Sequence, residues 1–353
     1  MRIGKTQIGD EYPAYFIADI GANHDGNLKR AKELVKLAAL NGANAAKFQH
    51  FSAPKIVSEK GFDELGQRIA HQASWTRSVI EIYKDASIPW EWTEELSETA
   101  KEFGIDFFTS PYDLDAIDFV NNFVTAFKLG SGDVNWMEPI EKMIKIGKPI
   151  IIATGASNLY DVDRVYEMFQ DKDVDFSILQ CNTNYTGASQ NIHYSNLRVI
   201  STYKARYPNA IIGLSDHTSG DVAVLGAISL GAKIIEKHFT DDTSRTGPDH
   251  KFAMDPQAWN LMIERSRDLE LALGDGIKKV EANEIESAIV QRRAVRYKRD
   301  LKKGHRITRE DLMVLRPAPS MGIEPFRIPE LIGMELLTDV NFDDLVKFTN
   351  FAH

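Results

Sequence analysis

Short apolar or β-branched runs alternate along this chain with stretches in which hydrophobic residues recur every three or four positions. Eight such cycles can be read. The strand candidates are Tyr15–Asp19, Ala43–Phe48, Ile105–Ser110, Ala126–Leu129, Pro149–Thr154, Asp175–Cys181, Ala210–Ser215 and Lys233–His238. Helical period marks Leu28–Leu40, Glu91–Phe103, Leu159–Phe169 and Asp221–Leu230 between them. Strands alternating with helices require parallel pairing through crossovers. Eight repeats over roughly 250 residues suit a closed (β/α)8 barrel, an α/β fold, better than an open doubly wound sheet.

The texture changes after the last helical stretch, Pro256 to about Leu273. A charged segment containing Gly-Asp-Gly-Ile-Lys-Lys follows and reads as a connecting arm over residues 274–288. From about Ile289 to His353, short strand-like runs are separated by turn chemistry such as Lys302-Lys303-Gly304 and Arg316-Pro317-Ala318-Pro319. The expected organisation is a barrel over 1–273, the arm, and a small mostly β module over 289–353.

Composition narrows the function classes. At 353 residues the chain has length for a barrel and a small second domain. A formal net charge of −9 argues against nucleic-acid or membrane-surface partners, which favour a basic face. The single cysteine, Cys181, excludes an intramolecular disulfide framework and a cysteine-rich zinc site. Met1–Tyr12 is polar with charges of both signs, unlike a secretory signal, and no apolar run approaches a membrane span, so a cytoplasmic location is expected.

The chemistry sits at the carboxyl ends of the strands, where parallel barrels build active sites. Strand one ends in Asp19, followed by Asn23, His24 and Gly26; strand two in Lys47 and Gln49; strand three in Thr109 and Ser110. Strand four ends in Lys128, then Gly130, Ser131, Gly132 and Asp133; strand five gives Thr154 and Gly155, and strand six Asn182, Thr183 and Tyr185. Strand seven ends in Ser215, Asp216, His217 and Thr218, and strand eight in Glu236, Lys237 and His238, with Asp249 in the loop beyond. Two lysines, several hydroxyls and glycine-rich turns suit a phosphate and a carboxylate held together. His217 and His238 close neighbouring strands, and an imidazole pair with open positions suits a divalent transition metal that polarises a carbonyl.

Each residue alone has a plainer reading. A strand-end histidine is commonly a hydrogen-bonded structural group, and Lys47 or Lys128 a solvated tip or the partner of a nearby carboxylate. Asp216 would serve as a helix cap. Trp75, Trp90 and Trp92 read as packing before sugar stacking, and Cys181 as a small buried strand residue. Agreement across eight strand ends is what favours a site.

At these residues the chain resembles the sialic acid synthase family, including N-acetylneuraminate and legionaminate synthases. The resemblance runs through Ile-Ala-Asp-Ile-Gly-Ala-Asn-His-Asp-Gly (17–26), Lys-Phe-Gln (47–49), Lys-Leu-Gly-Ser-Gly (128–132), Gly-Leu-Ser-Asp-His-Thr (213–218), Glu-Lys-His-Phe-Thr (236–240) and Gly-Pro-Asp-His-Lys-Phe (247–252). The C-terminal module resembles that family's antifreeze-like SAF (β-clip) domain. The resemblance implies a condensation of phosphoenolpyruvate with an N-acyl amino-sugar aldehyde, either N-acetylmannosamine or a 2,4-diacetamido-trideoxy hexose, with release of phosphate. It implies phosphoenolpyruvate at Lys47, Gln49, Ser110, Lys128, Ser131 and Ser215. It implies sugar contacts at Tyr185, Glu236 and Asp249, with Arg316 supplied by the other subunit of a domain-swapped homodimer. Asp19, His217 and His238 are the implied catalytic groups. The two histidines would carry a divalent metal, manganese first, with magnesium or cobalt as alternatives.

Departures from the family pattern are local. Asp19 and Asp133 stand where Glu is usual, Ala153 where some members have Ser, and the usual Tyr-Pro is absent around Asn182–Tyr185. The Arg316–Gly322 turn is longer than the common one, and the final strand region reads Asp339-Val-Asn-Phe-Asp-Asp without its usual glycine. Intact histidines and lysines point to retuned sugar specificity with the reaction kept. The alternatives are a synthase acting on a phosphorylated sugar, which calls for more cations at the rim, and a lapsed barrel kept as a binding or scaffold protein.

Overall fold

A computed structural model of the chain describes residues 1–66, 72 and 75–351. A hairpin, β1 (Arg2–Ile3) with β2 (Thr6–Gln7), precedes the barrel. The barrel strands are β3 (Tyr15–Asp19), β4 (Ala45–His50), β5 (Asp106–Pro111), β6 (Phe127–Leu129), β7 (Ile150–Ala153), β8 (Phe176–Cys181), β9 (Ile211–Asp216) and β10 (Ile234–His238). Every pairing among them is parallel, and β10 returns to β3 with His238 opposite Asp19, closing the barrel. The eight strands lie where the hydrophobic alternation predicts, with ends shifted by one or two residues.

Two apolar layers follow from the strand pleat, which sends successive side chains to opposite faces. Tyr15, Ile17, Ala45, Phe108, Ala126, Ile151, Leu179 and Ile234 fill the barrel interior, joined by Ile3 and Ile8. The first hairpin therefore stoppers the amino end, a feature the sequence pattern did not announce. Phe16, Ala18, Ala46, Phe48, Phe107 and Ile152 point the other way, into the helix layer. There the helix Leu28–Leu40 buries Ala31, Leu34, Val35 and Ala38, one stripe of a 3.6-residue period. Its N-cap is Asn27, whose side chain accepts the Arg30 N–H at 3.0 Å.

Between β4 and β5 the chain makes an excursion through short helices Ala53–Ile56, Glu59–Glu64 and Val79–Ala86. Val79–Ala86 opens with a capping box from Ser78 and Glu81. The last barrel helix spans Pro256–Leu273, with Asp255 accepting the Ala258 N–H at 2.8 Å as its cap.

The chain divides into two compact units, Met1–Gly274 and Asp275–His353. In the second, a helix over Ile285–Gln291 falls where the connecting arm is expected to end. It is followed by the antiparallel pair β11 (Ala294–Tyr297) and β12 (Leu312–Leu315). Its own core includes Val295, Tyr297, Leu312, Leu331, Leu336 and Val346. Buried Asp311 ties its turns together, accepting from Arg299 at 2.6 Å and facing His305 Nε2 at 2.8 Å.

Candidate active site

Strand parity sorts the polar strand ends into two sets. The outward set is taken up by structure. Thr109 Oγ1 meets His50 Nδ1 at 2.6 Å, and His50 Nε2 meets Thr93 Oγ1 at 2.7 Å. Thr154 donates to the Leu179 carbonyl at 2.9 Å. Lys237 donates to Asp216 Oδ2 at 2.5 Å and to the Thr218 carbonyl, and Thr218 N–H donates to Asp216 Oδ1 at 2.9 Å. Asp216 thus closes an Asx turn and neutralises a fully buried lysine; the helix that follows starts after Asp221, whose side chain makes no capping bond.

The inward set converges at the carboxyl end of the barrel. Asp19, Lys47, Ser110, Lys128, Ser215, Glu236 and His238 are all buried there. Lys47 Nζ lies 2.7 Å from Asp19 Oδ2, and Lys128 Nζ lies 3.5 Å from Glu236 Oε1. Ser215 Oγ donates to the same Glu236 oxygen at 3.1 Å. Burial opposes the charge on Lys47, but Asp19 and Glu236 outweigh it and raise its pKa. For Lys128 burial wins, aided by Lys47, and its pKa is lowered. Gln49 is half-buried beside the cluster, at the far end of β4. Among the described residues, Asp19 Oδ1, Ser110 Oγ, Glu236 Oε2 and His238 Nδ1 are buried without a hydrogen-bond partner. Buried polar atoms are ordinarily satisfied, so four exceptions in one mouth mark a place built for a ligand.

The two histidines face each other with ring centroids 5.5 Å apart. His217 Nδ1 is 2.9 Å from the Asn182 carbonyl, which fixes that nitrogen as the donor and leaves Nε2 as the lone pair. Burial pushes His238 down to about 3, so its ring is neutral. Tyr185 stands edge-on to His217 at 4.4 Å, and Phe252 covers His238 at 4.8 Å. Burial opposes charge on His217, but Cys181, the Asn182 carbonyl and Asp216 outweigh it and raise its pKa. An imidazole pair behind Tyr185 and Phe252 suits a borderline divalent ion, which would compete with the proton for the ring nitrogen. Among the described residues, no group of three or more His, Cys, Asp or Glu side chains is arranged to hold a metal. A metal on this pair would therefore keep several coordination positions for water and substrate. With Asp19 Oδ1 unpartnered in the same cluster, the residues present fit such an ion.

Asp249 is placed by a tie between loops. Its Oδ2 accepts the Ala22 N–H at 2.9 Å and lies 3.9 Å from His238 Nδ1. The next residue, His250, bonds Asp25 Oδ1 through Nε2 at 2.9 Å and Thr240 Oγ1 through Nδ1 at 2.8 Å. Arg245 and Arg30 also converge on Asp25, at 2.7 and 3.3 Å. Gly21 makes this approach possible: its φ is +50°, and a Cβ there would lie 2.6 Å from Asp249 Oδ2. Asp25 and His250 both lie inside motifs visible in the sequence. Their partnership across 225 residues is what the sequence reading missed.

The remaining candidates fall as follows. Ser131 Oγ accepts the Gly155 N–H at 2.9 Å. At Gly155 a Cβ would meet Thr183 at 2.4 Å and Cys181 Sγ at 3.1 Å, so glycine lets these loops close up. Cys181 is buried, its sulfur 3.7 Å from His217 Nδ1. Burial raises the Asp133 carboxyl to about 6, against the pull of Lys128. Ala153 belongs to the apolar interior. The tryptophans part company: Trp90 stacks on Phe119 at 4.9 Å and Trp92 packs edge-on to His24, whereas Trp75 lines a cavity shared with His238 and Asp249. Arg316 belongs to the second unit, exposed just past β12. No helix among the described residues is long and apolar enough to cross a membrane.

Comparison with known proteins agrees with this geometry. Over 334 residues the chain is 34% identical to the N,N'-diacetyllegionaminic acid synthase of Legionella pneumophila, covering 93% of this chain and 92% of that protein. It is 31% identical over 340 residues to the human N-acetylneuraminate-9-phosphate synthase, covering 96% and 93%. The crystal structure of N-acetylneuraminic acid synthetase from Leptospira borgpetersenii superposes with a TM-score of 0.71 at 28% identity, covering 81% of this chain and 94% of that one. Residues 292–352 match the SAF domain, and with residues 34–278 matching the NeuB family, the chain belongs to that family of synthases.

Proposed function

We propose that this protein condenses phosphoenolpyruvate with the open-chain aldehyde of an N-acyl amino sugar, forming a nonulosonic acid and releasing phosphate. The observation that carries the reading is the pairing of two buried ammonium groups, Lys47 and Lys128, with two buried imidazoles, His217 and His238, at one barrel mouth. Buried cations held by carboxylates alone cost more than an apolar core would. A dianionic substrate gives them a use. The named relatives, synthases of legionaminic, pseudaminic and N-acetylneuraminic acids, support the same reading.

Lys47 and Lys128 with Ser110, Ser131, Ser215 and Gln49 would grip the phosphate and carboxylate. The ammonium groups act as point charges and the hydroxyls as directional donors. Tyr185, Glu236 and Asp249 would meet hydroxyl and acylamino groups of the sugar. His217 and His238 would hold a divalent metal, manganese first and magnesium or cobalt as alternatives. When bound, it supplies Lewis acidity toward the aldehyde oxygen.

Carbon 3 of the enol attacks the aldehyde carbon, the enol π pair making the C–C bond. The carbonyl π pair moves to the aldehyde oxygen, which takes up a proton to become a hydroxyl, and positive charge develops at carbon 2. Water adds there, and Asp19, with one oxygen unpartnered, is placed to take the proton this water loses. The tetrahedral centre then expels inorganic phosphate by C–O cleavage, leaving the keto acid. Phe252 and Tyr185 limit bulk water around the reacting carbons. The SAF unit's exposed Arg316 fits a contribution to the sugar site of a second copy, in a domain-swapped homodimer.

The test is phosphate release by purified protein with phosphoenolpyruvate, manganese and an amino-sugar acceptor, with mass detection of the product. Release that requires the acceptor and yields a nine-carbon keto acid is expected. Release independent of sugar, or none with any acceptor, contradicts the proposal.

A further inference from the structure

A cavity of about 150 Å3 opens beside the histidine pair. Its lining joins Gln49, Tyr185, His238 and Asp249 to an apolar wall supplied by the excursion between β4 and β5. Phe51, Ile56, Trp75 and Ile82 form that wall, with Tyr83 and Tyr112. The rings brace one another. Phe51 lies 5.6 Å from Tyr83 and 5.9 Å from Tyr112, and Trp75 meets Tyr83 edge-on at 6.4 Å. The volume is that of a group of atoms comparable to benzene, with carbon on one side and polar groups on the other.

Among the described residues no lysine or arginine lines the cavity, and its formal charge is the Asp249 carboxylate. The adjoining groove, which shares Trp75 and Ile82, does hold Arg77, but that guanidinium is paired with Asp85. From the described lining, a phosphate entering here would lose its hydration, gain no cation and face the Asp249 carboxylate. A hydroxymethyl group would have to give up water for a wall that is mostly carbon. A methyl group meets neither penalty and gains burial.

We infer that this cavity is the specificity subsite for the far, non-reacting end of the acceptor, and that it selects an unphosphorylated 6-deoxy amino sugar over one bearing a C6 hydroxyl or phosphate. The inference rests on the proposed synthase reading, since it takes the aldehyde end to lie at the histidine pair. Gln49, Asp249 and the tyrosine hydroxyls then serve an acylamino group at the mouth, while Phe51, Trp75 and Ile82 enclose the methyl end. Overall identity cannot make this distinction, because relatives with phosphorylated and unphosphorylated products match the chain about equally well.

The test compares three acceptors under identical phosphoenolpyruvate and manganese: 2,4-diacetamido-2,4,6-trideoxymannose, N-acetylmannosamine and N-acetylmannosamine 6-phosphate. The expected order in kcat/KM is the deoxy sugar first, N-acetylmannosamine on the order of tenfold to a hundredfold lower, and no measurable use of the 6-phosphate. Ile82→Ser, at the half-buried edge of the wall, should narrow the gap between the first two by on the order of tenfold. Ile82→Leu, which keeps the wall apolar, should retain it. Use of the 6-phosphate equal to or above that of the deoxy sugar overturns the subsite alone, as does an unchanged preference in a folded Ile82→Ser protein. Failure of all three acceptors overturns the synthase reading and the subsite with it.

Discussion

Lys47 Nζ and Asp19 Oδ2 are 2.7 Å apart, and both side chains are 3% exposed. The same carboxylate oxygen lies 3.3 Å from His238 Nε2, so one short acid side chain touches both the anion cradle and the imidazole pair. Asp19→Ala should therefore abolish turnover and also destabilise the barrel, by about 3–5 kcal/mol, because Lys47 is left buried and unpaired. The double variant Asp19→Ala/Lys47→Met should recover most of that stability in urea unfolding and none of the activity. Recovery of both would mean that the pair is structural only.

The tie between Asp25 and His250 gives a second expectation. Neither residue belongs to the reacting cluster, yet together they fix the loop that presents Asp249. Asp25→Asn should cost about 1 kcal/mol of stability through the weakened, part-buried bond. It should raise the acceptor KM several-fold more than the phosphoenolpyruvate KM. Steady-state kinetics with each substrate varied in turn checks this, and equal change in both constants would assign the tie a purely structural role.

Much of this was legible in the chain itself. The eight strands follow from runs of β-branched and apolar residues, and period-two alternation places Lys47, Lys128 and Glu236 in the interior once β4, β6 and β10 are fixed. Parity also demotes Thr109, Thr154 and Asp216, which a simple inventory of strand-end polar groups counts with the rest. The excursion after β4 was not legible. Before the helix Thr93–Glu102, the helices among its described residues span four, six and eight residues, too few for a hydrophobic period to stand out. The role of Trp75 was hidden for the same reason, since its cavity exists only when that excursion packs against Tyr112 and Pro248. The Asp25–His250 bond joins loops at opposite ends of the barrel sequence, beyond the reach of any local pattern.

Gly21 supplies a third prediction. Gly21→Ala places a methyl group 2.6 Å from Asp249 Oδ2 and 3.3 Å from the His238 ring, at a φ of +50°. The left-handed backbone alone costs about 1–2 kcal/mol for a non-glycine residue. Thermal unfolding should register at least that loss, and manganese affinity should fall as His238 is displaced. A variant with wild-type manganese affinity would show that His238 tolerates the displacement.

The second unit carries a pH dependence of its own. Asp311 is buried; desolvation opposes its charge, but bonds from His305, the Thr308 N–H and Arg299 outweigh this and hold its carboxyl well below the usual range. A depressed folded-state pKa contributes stability that is present above the unfolded value of about 3.9 and is lost as pH falls below it. Hydrogen exchange of the β11–β12 peptides in the full-length protein should therefore accelerate below about pH 4. In Asp311→Asn that acid-dependent step should vanish, with protection lower throughout. An unchanged acid profile in the variant would assign the loss to other carboxylates.

The central claim is that His217 and His238 together bind one divalent ion beside the two buried lysines. Manganese titration of the metal-free protein, followed by the loss of the free-ion electron paramagnetic resonance signal, tests it without any need for turnover. The account predicts one bound ion per chain in the wild type and loss of that binding in folded His217→Ala and His238→Ala proteins. Equal binding by either variant, or none by the wild type, would contradict it.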